Sequence, residues 1–367
     1  MSALVVAYYG CDHNPHRDRS MGLTEYADGL ISHMAKRDDV KVCVLESQSS
    51  FSFSKPGIQC KRLPMRTDHL LGRVCVDQLH PLMRHFNADT WHYPKGFLPF
   101  FIEPQRPAVG TVCDTYIQYY ADHYPGNRSR LAYAYWLAVL KRSIARLDAI
   151  LTLSEYSRRS IETFCDRNKI RPPSITVAYL GIQWENLEPA RVTKENYVLH
   201  LASRHPHKQT SGLLKLWLEL QKSGRDLPEL LLVGELPKTE RIAFEQLRRA
   251  RFVPFLNKDE LKLTMARARA LLFPSEIEGF GMPVVESYYV GTPAVYVQNT
   301  TPEEILGLGT PGAFELGSSE SLFAGLESSF CMSSEDIHKK AVQLRERFSW
   351  NHCVEKTLAV YRQLAGK

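Results

Sequence analysis

The chain has 367 residues, about two domains' worth. With 44% hydrophobic and 23% charged residues its composition is ordinary for a globular protein, which excludes intrinsic disorder, a collagen-like repeat and a small disulfide scaffold. Lysine and arginine number 46 against 40 acidic residues, a net charge of +6, and the excess is lopsided: residues 1–185 carry 23 basic and 18 acidic side chains, or +5, against 23 and 22, or +1, in the rest. Such a bias suits phosphate-bearing substrates or an anionic membrane surface, is too small to demand nucleic acid, and is equally compatible with a mixed-sign surface.

The amino end, "MSALVVAYYG", lacks a basic leader, runs into the polar "CDHNPHRDRS", and reads as a first buried strand rather than a signal segment. Tyr26, Leu30, Ile31 and Met34 then recur at helical spacing, predicting a helix over 24–36. Further strands are expected at "VKVCVLE", "ADTWHY", "PAVGTVC" and "AILTLSE". The richest apolar run, "LAYAYWLAVL" at 131–140, is closed by Lys141 and Arg142, so it is too short to span a membrane. Around 181–196 the chain turns polar, "GIQWENLEPARVTKEN", and a second series follows: "YVLHLAS", "LPELLLVG", "RFVPF", "ARALLFPS" and "PAVYVQN". Alternation of this kind predicts two parallel α/β layers. The expected domains are 1–185 and 186–350, with a closing helix over 351–367. Two such halves predict a cleft between the carboxyl ends of their strands, where sheets of this type hold ligands. Eight scattered cysteines with no C-x-x-C pair predict reduced thiols in a cytosol, with neither disulfides nor structural zinc.

The most informative segment is "ARALLFPSEIEGFGMPVVESYYVGTPAVYV", 268–297. Its order is strand, glycine-bearing loop, helix, strand. The apolar run ends at Pro274, Pro283 suits a first helical turn, and Gly291 with Pro293 makes a stop. Glu278 is therefore expected on the loop and Glu286 in the first turn of the helix. Gly279, Phe280 and Gly281 place backbone amides at that helix's amino end, where an anion or clustered hydroxyls are favoured. Carboxylates are acceptor-only groups, and two of them eight residues apart can each hold vicinal sugar hydroxyls. A nucleotide bearing a sugar would satisfy both; by itself, E-G-F-G is equally a glycine-rich turn with solvated acids.

The full string resembles the donor-site signature of retaining, nucleotide-sugar-dependent glycosyltransferases of the GT-B fold, the family-four type also called glycosyl transferases group 1. The matching residues are Pro274, Ser275, Glu278, Gly279, Phe280, Gly281, Pro283, Glu286, Gly291 and Pro293. The resemblance implies two Rossmann-like α/β domains with parallel sheets facing across a cleft, the first binding acceptor and the second the donor. It implies that Glu278 faces the donor sugar, that the amides of Phe280 and Gly281 approach the diphosphate or sugar, and that Glu286 holds the ribose. "LASRHPHKQTSGLLKLW", 201–217, resembles the diphosphate-binding turn, which makes Arg204 and Lys208 the cations that receive the leaving group. Fixed cations stabilise the charge that develops on a departing diphosphate; the other reading is two solvated surface cations. His205 and His207 are expected beside the phosphates rather than on a metal, because Pro206 separates them and no third ligand follows.

By the same resemblance Val253 lies where backbone groups hold the base, which leaves the base unreadable. "RSMGLTEYADGL" resembles the loop after the first strand. It keeps Gly22 but has Met21 where a second glycine is common. "PAVGTVCDTYIQYYADHYP" resembles a strand ending in a His-Asp pair that here reads Cys113-Asp114. The imidazole's role has no bearer, and Asp114 either orients the acceptor hydroxyl or caps the next helix. Ser154 is expected to cap a helix on which Arg158 could face phosphate. Tyr116, Tyr119, Tyr120, Tyr124, Tyr133, Tyr135 and Trp136 are core, or else stack on an acceptor or meet lipid. "RERFSWNHCVEKTLAVYRQL" reads as a final helix that, by the resemblance, packs on the first domain.

No D-x-D clamp, H-E-x-x-H or G-K-[ST] is present, and Val284 stands where a third glycine of G-x-G-x-x-G would be, which disfavours a metal enzyme, a P-loop ATPase and a dehydrogenase. The sequence thus points to a metal-independent, retaining hexosyltransferase with no cofactor beyond a donor such as a UDP- or GDP-sugar. Its acceptor would be a saccharide or lipid-linked saccharide of cell-envelope polysaccharide or lipopolysaccharide assembly. The expected place is the cytoplasm, with peripheral contact to the anionic inner face of the membrane. The alternatives are a GT-B-like nucleotide-sugar-binding protein without transfer activity, and an epimerase or phosphorylase of the same fold.

Overall fold

In the computed structural model, residues 3–15, 22–83, 85–184 and 192–367 are described. The chain divides into two units, one made of Met1–Gln183 with Phe348–Lys367 and the other of Trp184–Arg347. In the first, β1 (Leu4–Tyr9), β2 (Val40–Glu46), β3 (Ile58–Arg62), β4 (Thr90–Tyr93), β5 (Ala108–Thr111), β6 (Ala149–Thr152) and β7 (Ser174–Val177) form one sheet in the order β3-β2-β1-β4-β5-β6-β7. Every neighbouring pair is parallel. The helices are α1 (Gly22–Met34), α2 (Leu70–Leu79), α3 (Tyr116–His123), α4 (Arg130–Arg146) and α5 (Glu155–Asn168).

The second unit repeats the plan. Its strands β8 (Tyr197–Ala202), β9 (Glu229–Gly234), β10 (Ala250–Val253), β11 (Ala270–Phe273), β12 (Ala294–Val297) and β13 (Ala313–Phe314) run in the order β10-β9-β8-β11-β12-β13, again all parallel. Its helices are α6 (Thr210–Lys222), α7 (Arg241–Glu245), α8 (Lys258–Arg267), α9 (Met282–Tyr289), α10 (Thr301–Leu306), α11 (Ser319–Phe330) and α12 (Ser334–Arg347), and α13 (Trp350–Ala365) closes the chain. Strands covered by helices on both faces bury every side chain, which is why the central strands read as unbroken apolar runs. Three strands go beyond the expected set. They are β3, β7 and β13, all short, at sheet edges, and in the first two cases half-exposed.

The closing segment departs from the single helix expected. α12 stops at Arg347, Phe348 is fully buried, and Ser349 caps α13 by accepting a hydrogen bond from the His352 amide at 3.3 Å. The break aims Trp350 into the first unit. Its indole stacks near His33 and Tyr26 with ring centres 5.5 and 6.5 Å away, over Gly29 of α1. A β-carbon at Gly29 would lie 2.1 Å from the indole, and one at Gly181 would lie 2.4 Å from the Trp350 amide nitrogen. Gly29→Ala should therefore cost roughly 1–3 kcal/mol through overpacking, although alanine is the better helix former. A urea midpoint at or above the parent's would show that the indole yields without penalty.

Candidate active site

Parallel sheets of this order have a crevice where the chain leaves the centre in opposite directions. In the second unit that point lies between β8 and β11. His200 and Leu272 are register partners there, and the buried imidazole ties the strands to the following helix. Its Nδ1 faces the Leu272 carbonyl at 3.1 Å and must carry the proton, so Nε2 accepts from the Thr210 hydroxyl at 3.0 Å. Thr210 in turn accepts from the Ser203 amide at 3.0 Å. Burial pushes His200 down to about 4, so the ring is neutral.

Two loops leave these strands and are bonded to each other. The Glu276 amide donates to the His207 carbonyl at 2.9 Å, and Gln209 Nε2 donates to Glu276 Oε1 at 2.7 Å. Gln209 holds the left-handed conformation, φ +54°, as the chain turns into α6. On this platform Lys208 Nζ donates to Glu278 Oε1 in a direct ion pair, with side chains 28% and 13% exposed. The ammonium also sits 5.5 Å from the centre of the Phe273 ring, and Thr301 Oγ1 anchors the loop by donating to the Glu278 carbonyl at 2.6 Å. His207 is pushed down to about 4, chiefly by burial and with help from Lys208 and His205, against the opposite pull of the Glu278 carboxylate. The site thus offers a cation, an anion and a neutral imidazole at the ends of two adjacent strands.

Arg204 lies on the same loop as Lys208 but is exposed and pairs with Glu235, just past β9, at 3.8 Å. Gly279 is half-buried and the Phe280 side chain is 3% exposed. Gly281 precedes α9 at φ +89°, a left-handed turn that glycine alone adopts cheaply. That turn starts the helix at Met282, one residue before Pro283, so Glu286 is its fifth residue and falls in the second turn of α9, a correction to the first-turn expectation; its side chain is half-buried. Val253 ends edge strand β10.

In the first unit Gly22 opens α1, and Met21 lies outside the described residues. Asp114, one residue before Thr115 at the N-cap of α3, accepts through Oδ1 from the Tyr116 amide at 3.1 Å, while burial pushes the Cys113 thiol up. Ser154 caps α5, accepting from the Ser157 amide at 3.0 Å, and Arg158 pairs with Glu155 at 2.8 Å. His205 and His207 have ring centres 5.9 Å apart, and among the described residues no group of three or more potential ligands is placed to hold a metal. His200, Gln209, Glu276 and Thr301 were not foreseen. Gln209 and Glu276 lie inside the two quoted motif segments, whereas His200 and Thr301 lie outside them.

Residues 183–329 match the family model described as Glycosyl transferases group 1. The second half of the chain is similar to that family. The chain is 23% identical over 378 residues, covering 94% of its length and 96% of the relative, to the O-antigen chain mannosyltransferase B of Escherichia coli. Among solved structures it is similar to the sucrose-phosphate synthase of Thermosynechococcus elongatus, with a TM-score of 0.76 at 16% identity, covering 98% of this chain and 99% of that one. It is also similar to Anabaena HepE in complex with UDP and glucose, with a TM-score of 0.68 at 15% identity, covering 98% and 100%. The chain has the GT-B fold. Among the described residues no helix is long and apolar enough to cross a membrane.

Proposed function

We propose that this glycosyltransferase moves a hexose from a nucleoside-diphosphate donor to a saccharide hydroxyl with retention at the anomeric carbon, without a metal, in the assembly of a cell-envelope polysaccharide or glycolipid. The observation that carries this reading is the Lys208–Glu278 pair at the switch point of the second sheet. The donor's arrival exchanges that pair's partners: the ammonium turns to the diphosphate and the carboxylate to the sugar hydroxyls. Arg204, four residues earlier on the same exposed loop, is the second cation. The amides of Gly279, Phe280 and Gly281 lie toward the sugar-diphosphate, Glu286 takes the ribose hydroxyls, and backbone at Val253 meets the base. The first unit, with Gly22 and Asp114, receives the acceptor.

As the bond from the anomeric carbon to the diphosphate breaks, the new bond to the acceptor oxygen forms on the same face. The acceptor's proton passes to the departing phosphate oxygen, which makes a separate base optional. Fixed cations in a water-poor site stabilise that oxygen's charge as it develops. The name of the Escherichia coli relative makes mannose the first sugar to test, and the UDP in the HepE complex supports a nucleotide-bound donor. The basic first half supports action at the inner membrane face.

Thermal-shift measurements with UDP, GDP, ADP and their mannose and glucose conjugates test the donor. A ligand at a hundred times its Kd adds about 2.7 kcal/mol to the native state, so one nucleotide series should raise the midpoint by several degrees. Flat midpoints with all of them, together with no sugar transfer, would refute the reading.

A further inference from the structure

The first sheet has a switch point of its own, between β1 and β4. A cavity opens there between α2, α4 and the loop after β4, with about 80 Å³ open to the centres of water molecules. Asp77 of α2 stands in its wall, accepting from the Tyr9 hydroxyl at 2.5 Å and from Arg73 Nε at 3.2 Å. Asp12, on the loop that follows β1, is 6% exposed and faces the same space. Burial, with Asp12 nearby, pushes Asp77 up to about 6. The Arg73 guanidinium lies over the Trp136 ring, 5.2 Å from its centre, and Tyr135, half-exposed, meets Trp136 edge-on at 5.3 Å.

Carboxylates that accept from hydroxyls, a guanidinium that donates, and a flat ring for C–H faces are the groups that recognise a sugar. Two carboxylates against one guanidinium disfavour an acidic or phosphorylated ligand. An apolar strip continues from the cavity. On α2, Val74 lines it and Leu71, one turn back, is 73% exposed. Gln78, one turn on, accepts from the Phe101 amide at 3.1 Å, and Phe101 is 79% exposed.

We propose that this cavity binds an uncharged saccharide carrying an apolar aglycone, the sugar seated against Asp77, Asp12, Arg73 and Trp136 and the aglycone along Leu71, Val74 and Phe101. It rests on the transferase reading, for which this ligand is the acceptor.

Calorimetric titration of the full chain with methyl and octyl glycosides of mannose, glucose and N-acetylglucosamine, below micelle concentrations, tests it. At least one octyl glycoside should bind tenfold or more tightly than its methyl counterpart. Asp77→Asn and Trp136→Leu should each weaken both forms at least fivefold. Leu71→Ser combined with Phe101→Ser, both at exposed positions, should remove the octyl advantage and leave methyl glycoside affinity alone. Absence of glycoside binding in a chain that still binds nucleotide would overturn the proposal while leaving the donor reading intact. So would an octyl advantage that survives the strip variant, or affinities that ignore the cavity variants. Glycoside binding in a chain that binds no nucleotide would uphold the cavity and fail the donor reading instead.

Discussion

Lys208→Ala is expected to slow sugar transfer a hundredfold to a thousandfold at saturating donor, about 2.7–4 kcal/mol, the size of effect seen when one charge-stabilising donor is removed from an active site. Among the described residues the ammonium is the one cation paired directly with Glu278, in a half-buried setting where screening is weak. Glu278→Gln keeps the shape, removes the charge, and should also act mainly on kcat. Because the two side chains are bonded, the double variant should lose much less than the sum of the single losses. A purely structural pair predicts something else: rates that fall only as the thermal midpoint falls, and a donor KM that carries most of the change. Turnover near the parent's in both single variants would remove the assignment.

How much of this was legible beforehand follows from burial. Central strands are covered on both faces, so β1, β2, β6, β8, β9, β11 and β12 declare themselves as apolar runs. The edge strands β3, with the sequence IQCKR, and β13, with two residues, carry no such signal because one side lacks a neighbour. The loop bearing Glu278 was readable because glycine and proline mark turns through backbone geometry, and Lys208 through its spacing within a family motif. Contacts distant in sequence were not. Nothing near Glu276 predicts that it receives Gln209, and nothing at Thr301 predicts its bond to the Glu278 carbonyl. Glu286 falls one turn later than Pro283's first-turn preference implies, because the left-handed Gly281 sets the first helical residue at Met282. The tyrosine cluster splits for the same kind of reason. Tyr120 and Tyr133 point inward, while Tyr116 and Tyr135 stand on the outer side of their helices.

Acid should destabilise the protein above the pH range in which ordinary carboxylates titrate. Burial pushes His80 down to about 4 and His92 to about 3 in the first unit, and His200 to about 4 in the second. Each is fixed as a neutral ring: His80 Nδ1 faces the Val76 carbonyl at 3.1 Å, and His92 Nε2 meets the Thr111 hydroxyl at 2.7 Å with Tyr361 on its other nitrogen. Their folded pKa values lie below the unfolded value near 6.5, so below that pH the unfolded chain takes up protons the native chain refuses. The stability they confer is whole above about pH 6.5 and is lost as pH falls toward 4, at about 1.4 kcal/mol per pH unit for each ring. At pH 5 that is about 2 kcal/mol per histidine. Asp77 works the other way, because its raised pKa lets the native state bind a proton first, and it returns about 1 kcal/mol by pH 5. The first unit should then lose about 2–3 kcal/mol between pH 7 and 5, a large share of ordinary domain stability. Urea midpoints measured across that range should fall steadily, and a variant such as His92→Gln should show a shallower slope whatever its starting stability. A midpoint that stays level from pH 7 to 5 in the parent chain would mean that these rings take up protons without leaving their buried places.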